Sequence, residues 1–191
     1  MRKYIVASVA SLALAAAASP AAAEGFRAEI HGGYDITNAD GPGDTDADGF
    51  MYGVGFGYDF DIGKAGFIGP DFSIDDSSAR ECGSSVLLAG DRLCVRAGRD
   101  LAAGIRGGVK VSENGKLYAL AGYTNARFVS SYTTPAGVRI RDGENLDGFR
   151  IGAGYEHSFG GNLYAKGEYR YSNYEAGVDR HQFLMGVGMN F

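Results

Sequence analysis

Large apolar residues alternate one for one with small or polar residues along most of this chain. The last eleven residues show it most plainly: Phe183, Met185, Val187, Met189 and Phe191 interleave with Gln182, Leu184, Gly186, Gly188 and Asn190. Successive side chains of a strand point to opposite faces, so one face there is large and apolar and the other small or polar. Phe50, Tyr52, Val54, Phe56, Tyr58 and Phe60 alternate in the same way with Met51, Gly53, Gly55, Gly57 and Asp59. The period recurs in segments near 26–35, 67–75, 95–111, 117–128, 148–159 and 163–174, which predicts eight strands. Each is about ten residues long, the length a tilted strand needs to cross the hydrocarbon of a membrane. Pro70 cannot donate to a ladder and predicts a bulge or local break in the third strand.

The connections alternate as well. Those near 61–66, 112–116 and 160–162 are short, whereas those after the first, third and fifth strands are long and polar. Short turns at one end and long loops at the other are the pattern of outer-membrane barrels, with an even strand count leaving both termini on the periplasmic side. The fold expected is therefore all-β: an eight-stranded antiparallel transmembrane up-and-down β-barrel.

The parity opposite the apolar one is charged. It collects Arg27, Arg96, Arg106, Lys110, Arg127, Arg150, Lys166 and Arg170 against Glu29, Asp35, Asp59, Asp71, Asp75, Asp100, Glu156 and Glu168. A soluble ligand-carrying barrel would be apolar inside, so this pattern is inside out relative to water. Eight strands enclose a space just wide enough for side chains to fill. A largely closed, salt-bridged lumen is expected, with Arg27, Glu29, Arg106, Arg127, Arg150, Glu156, Lys166, Glu168 and Arg170 forming its charge network. The outward aromatics Tyr34, Tyr118, Phe128, Phe149, Tyr169 and Phe191 are expected at the two interfacial girdles.

Arg2 and Lys3, an apolar run from Ile5 to Ala18 and the small residues Ser19 to Ala23 form a secretory signal pattern, with cleavage before Glu24. The apolar run is shorter than the ~20 residues of a spanning helix, which disfavours an anchor. The expected organisation is a signal peptide over 1–23 and one barrel domain over 24–191. The whole chain carries 18 basic and 23 acidic residues, a formal charge of −5. No basic cluster is evident along the sequence, and nucleic acid is not an expected partner.

Cys82 and Cys94 are the two cysteines. In an exported protein they are expected to form a disulfide. A metal pair or a reactive thiol lacks a His or further Cys nearby. Asp44, Asp46 and Asp48, followed by Gly49, match the start of a calcium loop, but its twelfth position is Gly55 rather than a bidentate Glu. An acidic solvated loop, interacting with divalent ions bound to lipopolysaccharide, is the other reading. His157 and Ser158 are neighbours in a strand and point to opposite sides, so they form no catalytic dyad. No cofactor fingerprint occurs, and the expectation is a protein that is not an enzyme.

Arg99-Asp100-Leu101, Gly104-Ile105-Arg106-Gly107, Leu117-Tyr118-Ala119 with Gly122-Tyr123-Thr124-Asn125-Ala126-Arg127-Phe128, Leu146 to Gly152 and Tyr169-Arg170-Tyr171-Ser172 together carry a resemblance. The chain resembles the small, opacity-type, porin-like outer-membrane β-barrels of Gram-negative bacteria. The resemblance implies an eight-stranded barrel in the outer membrane, contact with its lipid and lipopolysaccharide, and dealings with periplasmic chaperones and the barrel-assembly machinery. Phe191 would be part of that machinery's signal. It implies no single activity. A monomeric structural barrel with exposed loops is expected, with a narrow porin-like channel and a surface adhesin as alternatives. Arg99 would meet lipopolysaccharide phosphates.

Overall fold

Strands rich in Ile, Val, Phe and Tyr on one side and glycine or charge on the other are stable only between an apolar surrounding and a polar interior. The computed structural model, which describes residues 25–39 and 45–191, arranges them in that way. The strands are β1 (Phe26–Ala39), β2 (Thr45–Tyr58), β3 (Phe60–Ile62), β4 (Gly66–Ser77), β5 (Arg80–Ser84), β6 (Arg92–Lys110), β7 (Gly115–Thr133), β8 (Arg139–Ser158), β9 (Leu163–Tyr174) and β10 (Val178–Asn190). Every pairing is antiparallel between neighbours in the ring. β1 pairs β10 through thirteen residues from Arg27↔Asn190 to Ala39↔Val178, and β4 pairs β6, so the sheet closes. Since β3 continues the line of β2 and β5 belongs to a hairpin with β6, the ring has the eight members expected. Phe191 seals the seam: its N–H donates to the Phe26 carbonyl at 2.8 Å, and its ring lies 5.8 Å from that of Phe26. The expected signal segment, 1–23, lies outside the described residues.

Pro70 leaves β4 unbroken and interrupts the ladder opposite it. β2 pairs β4 up to Gly57↔Asp71 and β3 resumes at Phe60↔Ile68 in the same register, so the gap falls at Tyr58 and Asp59. A Cβ at Gly69 would lie 1.6 Å from the Tyr58 carbonyl oxygen, which is why only glycine fits beside the gap.

Three features depart from the sequence reading. The pattern of β7 is inverted: Tyr118, Leu120, Thr124 and Ala126 are buried inside, while Tyr123 and Arg127 are exposed. Leu117, Ala119 and Ala121 are as apolar as the positions between them, so the lone charge of Arg127 misled the assignment. Tyr118 and Phe128 accordingly leave the expected girdle; Phe128 packs against Ala126, Leu146 and Tyr174. In β6, the register against β7 shifts between Ala97 and Asp100, a one-residue bulge that reverses the parity above it. Arg96, expected inside, is therefore outside, with 53% of its side chain exposed. Finally, the long polar connection after the fifth strand is itself strand: β7 and β8 stay paired to Thr133↔Arg139 and turn within five residues. Val129, Tyr132 and Ile140 supply the β-branched and aromatic content that sustains it.

Candidate functional site

Glycines on the inward face make room for long side chains. A Cβ at Gly57 would sit 2.5 Å from a guanidinium nitrogen of Arg27. Arg27, Glu29, Arg106, Arg150, Glu156, Lys166, Glu168 and Arg170, all expected in the lumen, are buried there. Arg127 is the exception, for the reason given above. Lys110 is partly exposed and pairs with Asp61 at 2.8 Å at the mouth.

The charges interlock in a continuous series along the barrel. Near the short turns, Arg106 donates to Asp59 through Nε at 3.0 Å and Nη2 at 2.6 Å, and to Glu156 at 3.0 Å. Lys116 bridges the same two carboxylates, and Arg27 pairs with Asp71. The Arg106 guanidinium also lies 4.7 Å from the Tyr118 ring and 5.3 Å from the Phe67 ring, so the apolar patch of Phe67, Tyr118 and Leu120 serves the cation. Midway, Lys166 joins Glu29 at 2.5 Å to Glu168 at 2.9 Å, and Arg170 joins Glu168 to Asp75. The hydroxyls of Tyr118 and Tyr164 donate to Glu168 and Glu29, and His31 lies between Glu29 and Asp75. Toward the long hairpins, Arg150 and Arg180 both reach Asp100, which also accepts from Thr124 and Tyr174. Arg180 also pairs with Asp35.

The carboxylates of Arg150 are Asp100 and Asp75, both in the inward set expected from the alternation. Arg180 escaped sequence reasoning, as it is absent from that set; its position two residues before Gln182, on the same parity, was the signal available. It is fully enclosed.

The remaining expected residues are dispersed. Cys82 and Cys94 are disulfide-bonded, opposite each other in the β5–β6 pair. Asp44 lies outside the described residues, as does the side chain of Asp46, while Asp48 accepts from the Tyr34 hydroxyl. Among the described residues, no three His, Cys, Asp or Glu side chains gather as a metal site. The imidazole of His157 lies 3.3 Å from the Tyr155 hydroxyl. Arg99 is exposed at the bulge and donates to Asn125 at 3.4 Å.

Residues 7–191 match the family described as the outer membrane protein beta-barrel domain. Among solved structures, one similar to this chain is Ail, the attachment invasion locus protein of Yersinia pestis, in complex with the heparin analogue sucrose octasulfate. It is 17% identical, covers 87% of this chain and 99% of its own, and superposes with a TM-score of 0.54. Neisserial surface protein A is 14% identical over 87% of this chain and 97% of its own, with a TM-score of 0.55. At such identities the likeness is one of fold. No curated protein matches in sequence.

Proposed function

The chain belongs to the outer membrane protein beta-barrel domain family, and from that premise we propose a non-conducting structural barrel of the outer membrane that displays its long hairpins at the cell surface. The signal pattern before Glu24 would export it, and periplasmic chaperones and the assembly machinery would deliver it. Both chain ends and the short turns then lie on the periplasmic side. The observation that carries the reading is the network from Arg106 to Arg180. Its charges are paired and buried, so water and ions meet ion pairs that are costly to part. Planar-bilayer recording tests it: the folded protein should give no steady single-channel current. Large, steady openings would make it a narrow porin instead.

A surface-interaction role is the second reading, favoured by the extension of β5 to β8 well beyond the membrane-crossing length. Shortening the β7–β8 hairpin by residues 129–143 should abolish attachment to host cells or matrix while the barrel still folds. Unchanged attachment would remove this reading.

A further inference from the structure

The outermost part of the β5–β6 hairpin is apolar. Val86, Leu87 and Leu88 are 48%, 72% and 59% exposed, as open as Ile30 at 63% in the lipid-facing belt. Their backbone is closed on itself. Six of the seven N–H groups from Ser85 to Asp91 donate within the turn: those of Val86, Leu87 and Leu88 to the Asp91 carboxylate, that of Gly90 to the Ser85 hydroxyl, that of Ser85 to the Asp91 carbonyl and that of Asp91 to the Leu88 carbonyl. Backbone groups that enter hydrocarbon must bring their own partners. A turn that stays in water has no such need, and a protein partner that adds a strand uses open amides. The Cys82–Cys94 disulfide joins the two strands just below, so the tip has little freedom left to lose on insertion.

Charge and height narrow what the tip can meet. The three outermost rows of paired residues are Ser84, Arg92, Thr133, Arg139, then Gly83, Leu93, Tyr132, Ile140, then Cys82, Cys94, Ser131, Arg141. They hold three exposed arginines and no carboxylate, and the Asp91 carboxylate is turned in on the amides. On a chain with a formal charge of −5 this end is locally cationic. The Thr133↔Arg139 pair stands ten residues beyond Tyr123↔Phe149, the upper exposed aromatics of β7 and β8. That is about 33 Å along the strands, or about 23 Å in height at a tilt of about 45°. The headgroup layer is only about 5–8 Å deep, so the tip stands clear of the protein's own leaflet.

We propose that Val86, Leu87 and Leu88 insert into a second phospholipid bilayer facing the cell, with Arg92, Arg139 and Arg141 against its anionic headgroups. Apolar side chains enter the acyl boundary while cations just behind them meet the charged surface, the division of labour of an interfacial anchor. Asp91 lets the backbone follow the side chains in, because it takes up the amides that hydrocarbon would leave unpaired. The inference rests on the outward orientation and on the surface-interaction reading given under Proposed function.

The test uses the full chain folded into phosphatidylcholine nanodiscs and mixed with vesicles of phosphatidylcholine, alone or with phosphatidylserine. Vesicles with phosphatidylserine should bind about tenfold more tightly or better. Val86→Ser, Leu87→Ser and Leu88→Ser combined should weaken that binding about tenfold or more. Faster gel migration without boiling confirms that each variant is folded. The chain has no tryptophan, so Leu87→Trp supplies a single fluorescent reporter. Bromine on the acyl chains of the added vesicles should quench it, whereas bromine on the nanodisc lipid should not. Quenching by the nanodisc lipid instead overturns the proposal. So does equal binding of the two kinds of vesicle. Absence of quenching by the vesicles, or a triple variant that binds them as before, also overturns it and leaves the tip to a protein partner. Protease cleavage of the 134–138 turn on intact cells reads the orientation separately, and attachment after shortening 129–143 reads the surface role. A cleaved turn and lost attachment without vesicle binding sink this inference alone, and a protected turn sinks the orientation.

Discussion

Arg150 and Arg127 are the same residue type on neighbouring parts of one wall, and they separate what parity does to a charge. Arg150 is enclosed and donates to Ser172 at 2.9 Å besides its two carboxylates. Arg150→Ala leaves Asp75 and Asp100 underpaired in a confined space and is expected to cost about 3–5 kcal/mol. Arg127→Ala, on an exposed face, should stay within about 0.5 kcal/mol. Urea titrations of the two variants in lipid vesicles decide it, and equal costs would mean that the faces of β7 or β8 are misassigned. The charged positions of β1, β8 and β9 were legible because large apolar residues flank them. Arg127 was not, because both faces of β7 are apolar through Leu120.

Among the elements, those crossing the membrane were readable and those beyond it were not. Alternation marks a strand only where its two faces meet different solvents. Above the membrane both faces of β7 and β8 meet water, and the period fades at Ser130 and Ser131. The bulge at Ala97 to Asp100 left no mark except the Gly98-Arg99 step. The β5–β6 turn is organised by one side chain: Asp91, 2% exposed, accepts the backbone N–H groups of Val86, Leu87 and Leu88 at 2.7–2.9 Å and the Tyr132 hydroxyl at 3.0 Å. Burial pushes its carboxyl up, but the donors from Leu88, Leu87 and Val86 outweigh it and hold the group below the usual carboxylate range. A lowered folded pKa means that this carboxylate stabilises the turn above about pH 4 and that the contribution is lost as pH falls through the lowered value. Protection of the amides in 85–91, corrected for the intrinsic exchange rate at each pH, should therefore fall at acid pH while the barrel strands stay protected, and Asp91→Asn should bring that loss to neutral pH. A turn that keeps its protection after the carboxylate has been titrated would contradict this.

At the scale of the whole molecule, closure removes every edge from the eight-membered ring. A hoop is as strong as its weakest joint, and this one has a joint at Tyr58 and Asp59, where the ladder to Gly69 and Pro70 is missing. What crosses it is a clasp of side chains: Asp59 is gripped by Arg106 from β6 and by Lys116 from β7, while its own N–H holds the Gly25 carbonyl at 2.8 Å. The network that fills the lumen thus also fastens the wall, from the inside and across the gap. Releasing the clasp with Asp59→Asn should let the amides of 60–62 and 66–68 exchange early and together, ahead of those in β8 and β9, so that unravelling starts at this joint. Uniform exchange around the ring would show the joint to be no weaker than the rest. A barrel built in this way has a preferred place to part, and its plug decides when.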